Sequence, residues 1–181
     1  LPAVIPDFSN TMIHIALINP KDVTNVGSAL RAIGCYQADG LFYTGNRYET
    51  ARRYRTDTNA AHETTHVEHV AAIPEAIAKL PESTQVIAVE LVEGATALPD
   101  FKHPQDALYV FGPEDGNLPQ PVVDVADEVV YVPTVGCMNL AATVNVVLYD
   151  RTAKLGLATD KSAGELIRAS RDNNNRLKVR R

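Results

Sequence analysis

The chain has 181 residues, 45% hydrophobic and 22% charged, with a net charge of −5. This is single-domain length with ordinary globular composition, which excludes a disordered or fibrous chain. The two cysteines, Cys35 and Cys137, lack metal-ligand spacing, and no apolar run reaches the roughly 18–20 residues of a membrane span. Residues 1–10 lack the basic and apolar regions of a signal peptide. The expectation is a soluble, reduced, cytoplasmic protein that buries its core without disulfide or metal.

Residues 13–18 (IHIALI) form a short apolar run closed by Asn19-Pro20 and predict a strand. A helix follows over 25–36, opened by Asn25 as a capping-type residue, with Val26, Leu30 and Ile33 at helical spacing. Residues 40–43 read as a strand, 49–61 as a helix, and 73–80 as a compact helix entered through Pro74. Strands are predicted over 85–91 and 107–111, a short helix over 119–126, and a strand over 128–132 that stops at Pro133. Residues 138–155 have the length and spacing of a buried helix, ended by Gly156. Strands alternating with helices specify an α/β domain over residues 1–160, with a mainly parallel sheet and helices on both faces. Residues 161–181 hold too few apolar side chains to pack and are expected to form a basic, mobile tail.

The charge is unevenly placed. Residues 161–181 carry seven Lys or Arg against two acids, which leaves −10 on residues 1–160. A second basic knot, Arg47, Arg52, Arg53 and Arg55, sits against only Glu49. An acidic body with two basic contact points can still hold a phosphate backbone. The plainer alternative is a solvated tail and an exposed helix face.

His62-Glu63-Thr64-Thr65-His66 matches the HExxH zinc-protease pattern, with His69 as a third potential ligand. That chemistry requires a helix, whereas residues 65–70 read as an exit into a strand, so surface and packing histidines are expected. Neither GxGxxG nor GxxxxGK[ST] occurs, so any cofactor must use another loop design.

Three segments that follow strands carry candidate chemistry. In the first, residues 19–31, Asn25 and Gly27 stand at the helix start, where free N–H groups can meet an anion. Arg31 is expected on roughly the same face, able to fork onto a phosphate or ribose oxygen. A capped helix bearing a surface arginine would look the same. The second segment, 109–119, leaves a strand and turns at two glycines around Glu114, exposing backbone to a ligand edge. The third, 130–140, is a strand, a tight loop and the start of the long helix at Asn139. Ligands of open α/β sheets bind at the carboxyl ends of strands, where these loops can converge.

In this order, NxxxxxNxGxxxR, FGPExxxLP and VPxxGxMNLxxxVxxxLYD resemble the three motifs of the SpoU (TrmH) branch of the SPOUT RNA methyltransferases, over residues 13–156. The resemblance implies a C-terminal trefoil knot, S-adenosylmethionine as cofactor without a metal, tRNA or rRNA as substrate, and a homodimer with its active site at the subunit interface. By the same resemblance, Asn25 and Arg31 handle the target ribose and phosphate, Glu114 supports that site, and Asn139 is the motif-three asparagine. Backbone around Val89, Gly112, Val132, Cys137 and Leu140 would cradle the cofactor. Arg47, Arg52, Arg53, Arg55, Arg168 and Arg171 are the expected contacts to RNA phosphates.

Two features depart from the family pattern. Cys137 stands where serine is usual, and a thiol is the weaker hydrogen-bond partner. The loop over 133–137 is also short. The implied reaction is in-line methyl transfer to a ribose 2′-hydroxyl, catalysed largely by alignment. A guanidinium is a poor base at neutral pH, so Arg31 is expected to grip phosphate and stabilise the developing alkoxide. The alternative is a non-catalytic RNA-binding or assembly protein that kept the fold, and the two departures favour it.

Overall fold

The structure, a computed structural model, describes residues 11–53, 65–156, 161–169 and 179. Among these, seven strands form one sheet: β1 (Ile13–Leu17), β2 (Gly40–Tyr43), β3 (His66–His69), β4 (Gln85–Val89), β5 (Thr96–Ala97), β6 (Ala107–Phe111) and β7 (Glu128–Tyr131). Their spatial order is β3-β2-β1-β6-β4-β7-β5, and every pairing is parallel. β1 and β6 lie side by side near the middle, in a register that sets Ile15 opposite Tyr109 and Leu17 opposite Phe111. All five residues of each strand are buried, which is why both read as continuous apolar runs rather than alternating ones.

Alternation still sorts the side chains between two layers. Ile13, Ile15 and Leu17 pack with Ile87, Val89, Tyr109 and Phe111 beneath α1 (Val23–Tyr36) and α5 (Leu140–Leu155). Ala16 and Ile18 pack with Val86, Ala88, Leu108 and Val110 on the other face, beneath α3 (Ile73–Ala78) and α4 (Gln120–Asp124). Helices thus cover both faces, as the sequence predicts. In the first layer, Val26, Ala29, Leu30 and Ile33 of α1 join the same core as Val144, Val147 and Leu148 of α5. Truncating Leu148 to alanine there costs about 2–5 kcal/mol.

The helix ends differ from the sequence reading. The Asp22 side chain accepts from the Thr24 N–H at 2.6 Å, so α1 starts at Val23 and Asn25 lies in its first turn rather than at its cap. α5 starts at Leu140, capped by Asn139. α2 covers Arg47–Arg53 only, and the rest of the helix expected to residue 61 falls outside the described residues. β3 bears out the strand exit read from residues 65–70, while His62 and Glu63 are outside the described residues. β5 and the 3₁₀ turn Leu98–Asp100 have no counterpart in the sequence reading; both are too short to leave a period. Within the expected tail, Ala163–Ala169 form α6, opened by Ser162 and Glu165 hydrogen-bonding as a capping box, with no residue buried.

A buried polar clamp fixes the end of α5. Arg151, 4% exposed, donates to the carbonyls of Pro104 and Gln105 and to the Tyr109 hydroxyl. His103 Nε2 lies 2.8 Å from Asp150, and its Nδ1 lies 2.6 Å from the Tyr109 oxygen. Next to a carboxylate Nε2 carries the proton, so Nδ1 accepts from the tyrosine. Burial depresses the histidine pKa despite Asp150, and the same burial pushes the Tyr109 hydroxyl up to about 12. The ring therefore stays neutral.

Candidate active site

A cavity of about 730 Å³ opens at the carboxyl ends of β4, β6 and β7, beside the first turn of α1. Pockets for small ligands typically measure ~300–1,000 Å³, and this is where open parallel sheets place them. Its walls come from residues 89–91 after β4, 111–117 after β6, and 131–143 from the end of β7 into α5, with Asn25 from α1. The three loops singled out in the sequence converge on it.

One relay of side-chain amides joins them. The Asn139 Oδ1 accepts from the N–H groups of Ala141 and Ala142 at 2.9 and 3.2 Å, capping α5. That leaves its Nδ2 to donate to Asn25 Oδ1 at 2.8 Å. Asn25 Nδ2 must then point the other way, and it donates to Glu114 Oε1 at 3.1 Å. Backbone N–H groups thus dictate the orientation of both amides. Glu114 also accepts from the N–H groups of Lys21 and Asp22 at 3.0 and 3.1 Å. Burial pushes its carboxyl pKa up, but the donors from Lys21, Asn25 and Asp22 outweigh that and hold it below the ordinary value. Glu114 is ionised.

A second clasp sits outside the relay. Arg47 Nη1 lies 3.0 and 2.9 Å from the two oxygens of Asp115, and its Nε donates to the Asn19 carbonyl at 3.0 Å. Lys21 Nζ is 3.2 Å from Asp115 as well. The hydrogen bond from Arg47, reinforced by Lys21, holds the Asp115 pKa at about 2. Arg47 therefore ties α2 to two of the site loops, and its guanidinium is already occupied. The sequence assigned it to RNA because spacing does not reveal that Asp115 lies opposite.

The structure places the remaining expected residues as follows. Val89, Gly112, Val132, Cys137 and Leu140 all line the cavity, as do Asn25, Glu114 and Asn139. Arg31 does not; it is exposed. The expectation that it shares a face with Asn25 fails on helical geometry, since six residues turn the helix by roughly 600°, about 120° short of two full turns. Arg168 is exposed on α6. Arg52 and Arg53 belong to α2, but their side chains, and all of Arg55 and Arg171, lie outside the described residues.

Glu90 was missed. It follows the apolar run of β4 directly, and a charge at the carboxyl end of a central strand was the available signal. Its Oε2 accepts from the Leu118 N–H at 2.7 Å and its Oε1 from the Leu91 N–H at 2.9 Å. A β-carbon on Gly112 would lie 3.2 Å from the Leu118 nitrogen, so this wall tolerates glycine best.

A parallel sheet with helices on both faces, closed at its strand ends by three motif-bearing loops around one cavity, is an α/β ligand-binding domain of the kind the three motifs imply. Residues 12–149 match the SpoU rRNA methylase family, and the chain belongs to it. No curated protein matches the sequence. Among solved structures, one described as giving insights into 2-OH methylation of C/U34 on tRNA has 20% identity and a TM-score of 0.65, with 80% of this chain covering 97% of that one. The A. aeolicus TrmH/SpoU tRNA modifying enzyme has 16% identity and a TM-score of 0.67, with 90% of this chain and 89% of that one covered. The SpoU methyltransferase AviRb from Streptomyces viridochromogenes, solved with AdoMet, has 18% identity and a TM-score of 0.67; 82% of this chain spans 59% of it. These likenesses describe the fold.

The cavity fits the S-adenosylmethionine used by the family. It has the volume, strand-end backbone groups and a glycine wall for close approach. Among the described residues its lining includes three carboxylates, Glu90, Glu114 and Asp115, and no Lys, Arg or His, which suits a positively charged sulfonium. Among the described residues, no group of His, Cys, Asp and Glu could hold a metal ion, and no helix is long and apolar enough to cross a membrane.

Proposed function

We propose that this cavity binds S-adenosylmethionine and that the chain transfers the methyl group to a ribose 2′-hydroxyl of tRNA or rRNA. One observation carries the reading: three motifs far apart in sequence line a single cavity and are tied together through Glu114, Asn25 and Asn139. Bound there, the cofactor supplies an electrophilic methyl on a positively charged sulfur. Backbone around Val89, Gly112, Val132, Cys137 and Leu140 holds it. Asn25 and Asn139 orient the reacting ribose, because both amides are locked by their neighbours. Glu114 anchors them; a carboxylate with a depressed pKa and three donors is a poor base.

Arg31 supplies positive charge to the substrate phosphate and the developing alkoxide. Because it stands outside its own chain's cavity, the reading gives it to the cavity of a second copy. A C2 dimer through α1 and α5 would bring it there, and that surface offers exposed Gly34, Cys35, Ala142 and Tyr149. Arg52, Arg53, Arg55 and residues 161–181 hold more distant phosphates.

The test is to map 2′-O-methyl marks in RNA with and without the protein, then follow single-turnover methylation of the mapped RNA. Arg31→Ala should lower kcat and kcat/KM together and leave cofactor affinity unchanged. Removing residues 164–181 should raise KM and flatten the salt dependence of RNA binding. Absence of any RNA mark, with the cofactor still bound, would leave the assembly-protein alternative standing. Full transfer by Arg31→Ala at saturating RNA would remove that residue from the chemistry.

A further inference from the structure

We propose that Glu90 makes the cavity selective for charge: its carboxylate favours the sulfonium cofactor over the neutral thioether that remains after methyl transfer, and so promotes product release. The inference rests on the cofactor reading above.

The three carboxylates of the cavity wall are not equivalent. Asp115 is neutralised by Arg47 and Lys21. Glu114 is held by three donors that also fix the loops. Glu90 accepts one backbone N–H on each oxygen, from Leu118 and from Leu91, and pairs with no cation among the described residues. Each oxygen keeps acceptor capacity after one such bond. The two N–H groups pin the carboxylate against the glycine wall, where its Oε2 lies 3.5 Å from the position a Gly112 β-carbon would take. Glu90 is thus an uncompensated, half-buried negative charge held in place at the cavity wall.

Such a charge distinguishes ligands that differ only by charge. S-adenosylmethionine and S-adenosylhomocysteine share adenine, ribose and the amino-acid group, and differ by one methyl and one positive charge. A fixed, uncompensated carboxylate in the wall of a half-buried site stabilises the charged member by about a factor of ten. An enzyme binding both equally would be held back by its product. The direction of the preference follows from the wall, since among the described residues no basic side chain lines the cavity to oppose it.

The experiment is calorimetric titration of the full chain with S-adenosylmethionine, S-adenosylhomocysteine and sinefungin, which carries an ammonium in place of the sulfonium. Wild type should bind the two cationic ligands about tenfold more tightly than the neutral one. Glu90→Gln should weaken the cationic pair about tenfold and leave S-adenosylhomocysteine within about twofold. Glu90→Asp, which keeps the charge, should preserve the ratio even where all affinities drop. An equal loss for all three ligands in Glu90→Gln would make Glu90 a loop anchor only and overturn the proposal, as would an unchanged ratio. If wild type binds the neutral ligand as tightly as the cationic ones, charge selectivity is refuted while the cofactor site survives. If it binds none of them, the cofactor reading falls and this inference with it.

Discussion

Asn139 serves two structures at once, and substitutions can separate them. Its Oδ1 caps α5 through the N–H groups of Ala141 and Ala142, and its Nδ2 bridges to Asn25. Losing the cap costs about 1 kcal/mol, and losing the exposed amide hydrogen bond to Asn25 costs up to about 1 kcal/mol more. Asn139→Ala removes both, up to roughly 2 kcal/mol, which for a chain of this size lowers Tm by as much as ~4–8 °C. Asn139→Ser keeps a capping oxygen and loses only the bridge, so its Tm should fall by ~2–4 °C. A double-mutant cycle between Asn25→Ala and Asn139→Ser should return a coupling of about 0.5–1.5 kcal/mol. Thermal unfolding by circular dichroism measures the wild type, the three single variants and the double variant. Equal melting temperatures for the serine and alanine variants would refute the capping role, and zero coupling would refute the relay.

The loop after β2 should be intolerant: Gly45 sits at φ +72°, and a β-carbon there would lie 2.6 Å from Cγ of Asn19, so Gly45→Ala should cost at least about 1–3 kcal/mol in denaturant titration. Removing the clamp arginine by Arg151→Met leaves the Tyr109 hydroxyl and the carbonyls of Pro104 and Gln105 without that donor, an expected loss of about 1–3 kcal/mol for each acceptor left unsatisfied, by the same measurement. His14 and His103 both have pKa values depressed by burial below the ordinary 6.5. As pH falls, the unfolded chain is protonated first, so their contribution is complete above about 6.5 and is lost below it, towards the folded-state values. Glu114 and Asp115, with lowered carboxyl pKa values, add a loss of the same sign at more acidic pH. A melting temperature that rose on acidification from pH 7 to 5 would contradict this.

The parts of the fold that repeat were legible, and the parts that depend on opposing partners were not. β1 and β6 announce themselves because a strand buried on both faces is almost wholly apolar, His14 being the one buried polar side chain of β1. The register of the strand ends follows, and with it the convergence of the loops around Asn25, Glu114 and Asn139. Helix starts were less legible: Asp22 and Asn25 are both competent caps, and only the hydrogen bond to the Thr24 N–H chooses between them. The pairing of Arg47 with Asp115 spans 68 residues and leaves no trace in spacing. Glu90 looks in sequence like the polar end of a strand; the N–H of Leu118 reaches it only once the loop over 112–118 has folded against it.

The site divides unevenly between what one chain completes and what it leaves open. The amide relay, the glycine wall and the carboxylates are all stitched within a single copy, whereas Arg31 is exposed and outside the cavity. If Arg31 acts in the partner's cavity, two inactive proteins should rescue one another. In the proposed dimer, mixed Arg31→Ala and Asn139→Ala chains would form heterodimers in which one cavity combines an intact Asn139 with an intact Arg31, while the other carries both defects. Random pairing makes about half the dimers mixed, each with one working site, so transfer should recover to about a quarter of the wild-type rate. If Arg31 serves its own chain's cavity, every site in every dimer is defective and mixing restores nothing. Refolding the two variants together and assaying methyl transfer against each alone decides between the arrangements, and recovery near zero with confirmed heterodimers rules out the shared site.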